Sequence, residues 1–166
     1  MAYKKPVEGR SYPHVYNVAM TVGIRQGGDA WGNYEAAYYS NRRDDVMLVQ
    51  YLLKRVYQRG AVADPPLDQS NGACELKVDG YYGPKTQKAI TSYQFEMKKN
   101  GRSIATDGCV DPEGPQGSTS TISQTGYTIS WLNKYFYLLY PELFPNIALD
   151  PECPAELKMS VGSGVY

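Results

Sequence analysis

The stretch from Val78 to Met97 constrains this chain most. It reads Val-Asp-Gly-Tyr-Tyr-Gly-Pro-Lys-Thr and then runs on to Met97. Gly80 and Gly83 permit backbone angles that a side chain resists. Pro84 suits a first helical turn, where its missing N–H costs nothing. Beyond it the less polar positions fall at Thr86, Ala89, Ile90, Tyr93 and Met97, one face of an amphipathic helix. Asn100-Gly101 supplies the left-handed stop. The pattern predicts a tight turn feeding a packed helix over 84–99.

Two more segments have helical spacing. In the first, Ser40 or Asn41 can cap, Asp44 and Asp45 suit the first turn, and Val46, Val49, Leu52, Leu53 and Val56 form one face before Gly60. In the second, Thr128 can cap a helix with Ile129, Leu132, Phe136 and Leu139 inward, ended by Pro141.

Around these lies less regular sequence. Residues 1–14, with Pro6 and Pro13, read as an extended arm, and Val15 to Ile24 as a strand or extended segment. Gln26 to Asp29 breaks it, and the aromatic stretch from Ala30 to Ser40 is a loop or a short helix. Asp64 to Gly72 is a polar loop, and Leu76 to Val78 a short extended approach to the central turn. Residues 104–117 are turn-rich, with Asp107-Gly108 and Asp111-Pro112 marking bends, and the Ser/Thr-rich 118–124 reads as a surface loop. The tail beyond Glu142 carries Pro145, Pro151 and Pro154 and is expected to be extended, laid on the body by Leu143, Phe144, Ile147 and Leu149, with Gly162 to Gly164 loose at its end. The organisation expected is an arm and lead-in segment over 1–39, a helical domain over 40–140 and a tail over 141–166. No internal repeat stands out.

Charge and cysteine content narrow the function classes. Lys plus Arg and Asp plus Glu each number 17, so no net field draws the chain to nucleic acid or anionic lipid. No window approaches a membrane span, and the lysines near the N-terminus have no apolar run behind them, so no secretory signal is expected. Synthesis in the cytosol, with any exit by another route, follows as an expectation. Cys74, Cys109 and Cys153 form neither a disulfide framework nor a zinc motif, and free thiols are expected. Sixteen tyrosines against three phenylalanines suit either the rim of a core or a wet contact surface for sugar or protein.

The segments Asp45 to Leu53, Val78 to Thr86 with Ala89, Ile90, Tyr93 and Gln94, and Asp107 to Pro112 followed by Thr128 to Asn133 together resemble the peptidoglycan-binding-like domain family. The subgroup is the one found in phage lysins and secreted cell-wall effectors, which Met20 to Arg25 also resembles. The likeness spans 40–112 and, more loosely, 126–140, with an insertion of about fifteen residues that a surface loop tolerates. It implies a mainly α fold, a compact three-helix bundle, here with long loops and extended N- and C-terminal arms. It also implies binding of cell-wall glycopeptide, in a family usually fused to a hydrolase or amidase. This chain carries arms in place of a catalytic domain. Two functions are therefore expected: a non-catalytic peptidoglycan-binding module of a phage or contractile secretion particle, or a structural adaptor subunit of such a particle. The expected partners are peptidoglycan or other particle subunits, further copies of the chain included, and neither nucleic acid nor membrane.

Candidate ligand-binding residues are Tyr81, Tyr82, Lys85, Arg43 and Tyr51. A solvent-facing ring at 81 or 82 can stack on a sugar face, while Lys85 or Arg43 meets a stem-peptide carboxylate; the alternative is that both rings pack on the first helix. Gln50 and Gln94 border the apolar faces and are expected to hydrogen-bond between helices or to loops. His14 is the only histidine, so nucleophilic pairs and zinc peptidase sites lack their parts. Asp79, Asp107 and Asp111 are expected to hold turns rather than perform acid–base chemistry. No catalytic residue, metal or cofactor is expected.

Overall fold

In a computed structural model, residues 1–25, 37–38 and 41–162 are described. The break at 26–29, most of the aromatic stretch (Trp31, Tyr34 and Tyr39), Ser40 as a cap, and Ser163-Gly164 lie outside the described residues.

The elements in chain order are β1 (Tyr3–Pro6), β2 (His14–Asn17), β3 (Val22–Arg25), β4 (Ala37–Tyr38), α1 (Arg43–Gln58), α2 (Pro84–Lys99), β5 (Cys109–Val110), α3 (Thr128–Leu139) and α4 (Ala155–Gly162), with 3-10 turns at Ala73–Glu75 and Ile147–Leu149. β1 pairs antiparallel with β2, Tyr3 opposite Asn17 and Pro6 opposite His14. β3 lies between β4 and β5, antiparallel to both. The chain is mixed α/β. The expected mainly α three-helix bundle with extended arms is overturned: its three helices form where the spacing puts them, but the chain also builds two small sheets, with β2 and β3 mostly in the segment read as a strand or extended, and a fourth helix from the segment read as an extended tail.

The physical reason lies in burial. Ala2, Tyr12, Val15, Tyr16, Phe144, Ile147, Leu157 and Val161 join Val49, Ile90 and Phe136 in one hydrophobic core. Ladders of two to four residues give too short a period to register as strands, and the prolines that suggested an open tail sit between short turns. The tail is docked rather than extended, although Leu149 projects into solvent. Tyr16 ties both ends together. Its hydroxyl donates to Phe144 O at 2.6 Å and accepts from Ile147 N at 3.1 Å. Its backbone pairs with the Asn133 side-chain amide of α3, at 2.8 Å in both directions. Rings of Tyr12, His14, Tyr16, Tyr137 and Phe144 meet at centroid distances of 5.0–5.5 Å. Among the described tyrosines Tyr12, Tyr16, Tyr51, Tyr57, Tyr93 and Tyr140 are buried in the core, and Tyr82, Tyr127, Tyr135 and Tyr137 pack at its rim.

α1 is the centre of the molecule. Every residue from Asp45 to Leu53 is buried, so the helix is covered on all sides rather than along one stripe. It touches α2, α3, α4, β3 and the Ala73–Glu75 turn. Asn41 does not cap it. With φ at +43°, Asn41 turns its amide to the Gly23 backbone, accepting from N at 2.8 Å and donating to O at 3.3 Å. Asp45 instead accepts from Ala19 N and Met20 N at 3.0 and 3.1 Å, fixing the chain between the two sheets to the start of α1. Thr128 likewise is not a cap; Tyr127 holds that position.

α2 starts at Pro84 in its first turn and closes with a Schellman motif at Gly101, φ +78°, where Gly101 N bonds Lys98 O and Arg102 N bonds Met97 O at 3.0 Å each. Its buried face is Thr86, Ala89, Ile90, Tyr93, Gln94 and Met97.

Candidate functional site

The Asp79-Gly80 turn is held from α1 by one side chain. Gln50 Oε1 accepts from Asp79 N at 3.1 Å and Gly80 N at 2.8 Å. Its Nε2 faces Asp79 Oδ1, Tyr81 O and Thr86 Oγ1 at 3.2, 3.0 and 3.0 Å. Asp79 accepts in turn from Tyr81 N, closing an Asx turn. Gly80 sits at φ +73°, and a Cβ there would meet Arg43 O at 2.6 Å, so only glycine fits.

The same device recurs one helix later. Gln94 Oε1 accepts from Gly108 N at 2.9 Å, and its Nε2 faces Cys109 O at 2.8 Å and Thr128 Oγ1 at 3.0 Å. Asp107 accepts from Cys109 N, and Gly108 has φ +76°. Each latch joins a helix glutamine, an Asp-Gly turn and a threonine in the first turn of the next helix. The inserted loop before Thr128 hides this repeat from a pattern search.

The candidate residues divide around the first turn. Tyr81 is 66% exposed, whereas the Tyr82 ring packs against the core with its hydroxyl buried. Arg43 lies across Tyr81, guanidinium carbon 5.0 Å from the ring centroid and Nη1 donating to the hydroxyl at 3.0 Å. The same guanidinium forms a fork with Glu156 of α4 at 3.0 and 3.2 Å. Lys85 pairs with Asp68, and this bond, with amides from Ser70 and Asn71, holds the Asp68 carboxyl well below its usual range. Arg43 and Tyr81 are thus brought together with a carboxylate already in place, while the Lys85 ammonium is committed to Asp68.

Tyr51 belongs to the core. It is fully buried, edge-on to Phe136, and its hydroxyl donates to Asp150 Oδ2 at 2.6 Å. Burial, with Asp150 adjoining, pushes its pKa far up. Asp150 also pairs with Arg55 at 3.0 Å. Tyr51→Phe is expected to lower stability by about 1–2 kcal/mol in urea unfolding, the worth of a buried bond to a carboxylate, without altering any ligand binding.

The aspartates weighed for catalysis have hydrogen-bond partners, whereas His14 is held by ring packing with its buried Nε2 unbonded. His14 stacks on Phe144, and burial, with Lys4 nearby, lowers its pKa. Asp111 accepts from Thr21 Oγ1 at 2.6 Å. Among the described residues no group of three or more His, Cys, Asp or Glu side chains is placed to hold a metal ion, and no helix is long and apolar enough to cross a membrane. The three cysteines are free thiols, and burial pushes the Cys153 pKa up to about 12.

Sequence reasoning missed two features. One is Glu113, buried against Arg10 and Lys5; a glutamate in a turn-rich loop is ordinary surface sequence, so no local signal pointed to it. The other is a cleft beside Trp131, whose only signal was a tryptophan with Lys134 a helical turn away. Comparison with known proteins finds no family model, no curated protein and no solved structure that matches this chain.

Proposed function

We propose that this chain is a non-catalytic module that binds cell-wall glycopeptide, serving a phage or contractile secretion particle. The observation that carries it is the exposed Tyr81 ring on the Gln50-latched turn, backed by Arg43. A latched turn keeps the ring in place before any ligand arrives, which lowers the ordering cost of binding. The two latches fall on the segments whose likeness to peptidoglycan-binding-like domains suggested the function. A pyranose face on Tyr81 contributes about 0.5–1.5 kcal/mol, so several such contacts along a polymer are needed for retention.

The rival reading is an adaptor subunit that grips neighbours through free arms. Residues it would use, such as Ala2, Val15, Phe144 and Leu157, are buried in this chain's own core, which favours the binding module. Co-sedimentation with purified sacculi tests the choice. The wild type is expected in the pellet, and Tyr81→Ala, folded by circular dichroism, is expected to bind about threefold to tenfold more weakly. Equal retention of the two removes Tyr81 from the surface. A soluble wild type that forms oligomers and ignores sacculi favours the adaptor.

A further inference from the structure

A second cleft, of about 380 Å³, lies away from the Tyr81 turn, between the 9–12 segment, Ser103, the 118–126 loop and the outer side of α3. Its walls carry Tyr12 and Trp131, the cations Arg10 and Lys134, and the hydroxyls of Ser118 and Thr119, with no Asp or Glu among the lining residues. In a chain of zero net charge this is a local excess of positive potential.

The indole is set in place. Its Nε1 donates to Ser103 O at 3.1 Å. Gly126 makes room for it, since a Cβ at that position would come within 2.6 Å of Trp131 Nε1. The Lys134 ammonium lies 5.1 Å from the indole centroid and the Arg102 guanidinium 5.5 Å. Arg10 is paired with the buried Glu113, which leaves Lys134 as the lining charge that faces a ligand at the ring, while Arg102 lies over the indole without lining the cleft.

We propose that this cleft binds a saccharide bearing a carboxylate. The pyranose C–H face lies on the indole, the carboxylate draws Lys134 from the ring, and Ser118 and Thr119 meet sugar hydroxyls. The class of sugar rests on the wall-binding reading above; the demand for a negative charge rests on the cleft alone.

Tryptophan fluorescence of the full chain tests it. Trp31→Phe leaves Trp131 as the single indole. The probes are N-acetylglucosaminyl-N-acetylmuramic acid, which carries a carboxylate, and neutral chitobiose. Saturable quenching is expected with the acidic disaccharide at about tenfold lower Kd than with chitobiose, and Lys134→Gln, a surface change, is expected to erase most of that difference. Equal affinity for the two sugars, or no quenching by either, overturns the proposal, as does a preference that Lys134→Gln leaves intact. The two readings fail separately. Retention on sacculi without quenching removes this cleft and leaves wall binding standing; quenching without retention removes wall binding and leaves an acidic-saccharide site.

Discussion

Glu113→Ala is expected to destabilise the protein by about 3–5 kcal/mol in urea unfolding, the cost of stripping the partner from buried charges. The Glu113 side chain is fully buried. Arg10 grips it with both terminal nitrogens at 2.9 Å, Lys5 approaches at 3.3 Å and the Ser130 hydroxyl donates to Oε2. The backbone of Glu113 is clamped as well, Asn17 accepting from its N at 2.9 Å and donating to its O at 3.1 Å. The carboxylate therefore fastens β1 and the turn that follows it to α3, and the Glu113 backbone adds β2 through Asn17. Without it, Arg10 and Lys5 face a cavity they cannot neutralise. Glu113→Gln keeps the shape and is expected to cost less, because one amide oxygen still accepts.

The same group gives the stability a pH dependence of definite sign. Burial raises the Glu113 pKa, but bonds from Arg10 and Ser130 and the charges of Arg10 and Lys5 outweigh it, leaving the pKa below the ordinary 4.5. Between that lowered value and 4.5 the unfolded chain holds more protons than the folded one, so stability rises with pH there. The contribution is complete above 4.5 and is lost as pH falls through the folded pKa. Asp45 works the other way. Burial raises its pKa above 3.8 despite amide bonds from Ala19 and Met20, so its contribution declines as pH rises through that window. Glu113→Gln is expected to flatten the acid limb of a stability–pH curve. An unchanged limb would mean that Glu113 is not held ionised.

Gln50→Ala and Gln94→Ala are expected to cost about 2–4 kcal/mol each, because each strands buried backbone donors. Gln50 leaves Asp79 N and Gly80 N without their acceptor; Gln94 does the same to Gly108 N. Glutamine is the side chain that suits the task, since its amide accepts from the turn's N–H groups and donates to a carbonyl and a threonine hydroxyl at once. Glutamate or leucine in its place loses half or all of this. Losses below about 1 kcal/mol by chemical denaturation would show the latches to be incidental.

How far the residues foretold this follows from the range of each interaction. α1, α2 and α3 were legible because each carries a local helical period, and Pro84 and Gly101 mark the ends of α2 by local backbone preference. The central position of α1 was written in the run Val46 to Leu53, apolar except for Gln50, but one-face counting treated Met47, Leu48 and Tyr51 as surplus. The strand or extended reading of Val15 to Ile24 covers most of β2 and β3, but β1, β4 and β5 escaped because they are short, and the pairing of Gly23 with Cys109 joins residues far apart in the chain. Tyr51 leaves the candidate site because Asp150, from the far end of the sequence, holds its hydroxyl inside the core. At the site itself the sequence left open which of Tyr81 and Tyr82 faces outward, or whether both pack on the first helix; the structure exposes Tyr81, and the Glu156 fork on Arg43 depends on α4, which has little periodic signal of its own.

Wall binding without catalysis is the claim on which the functional account rests. It is tested most directly by mixing the purified full chain with intact sacculi and recording both the pelleted fraction and the turbidity over time. Saturable pelleting at constant turbidity is the predicted result. A folded protein that stays in the supernatant at every concentration, or a suspension that clears, would contradict it.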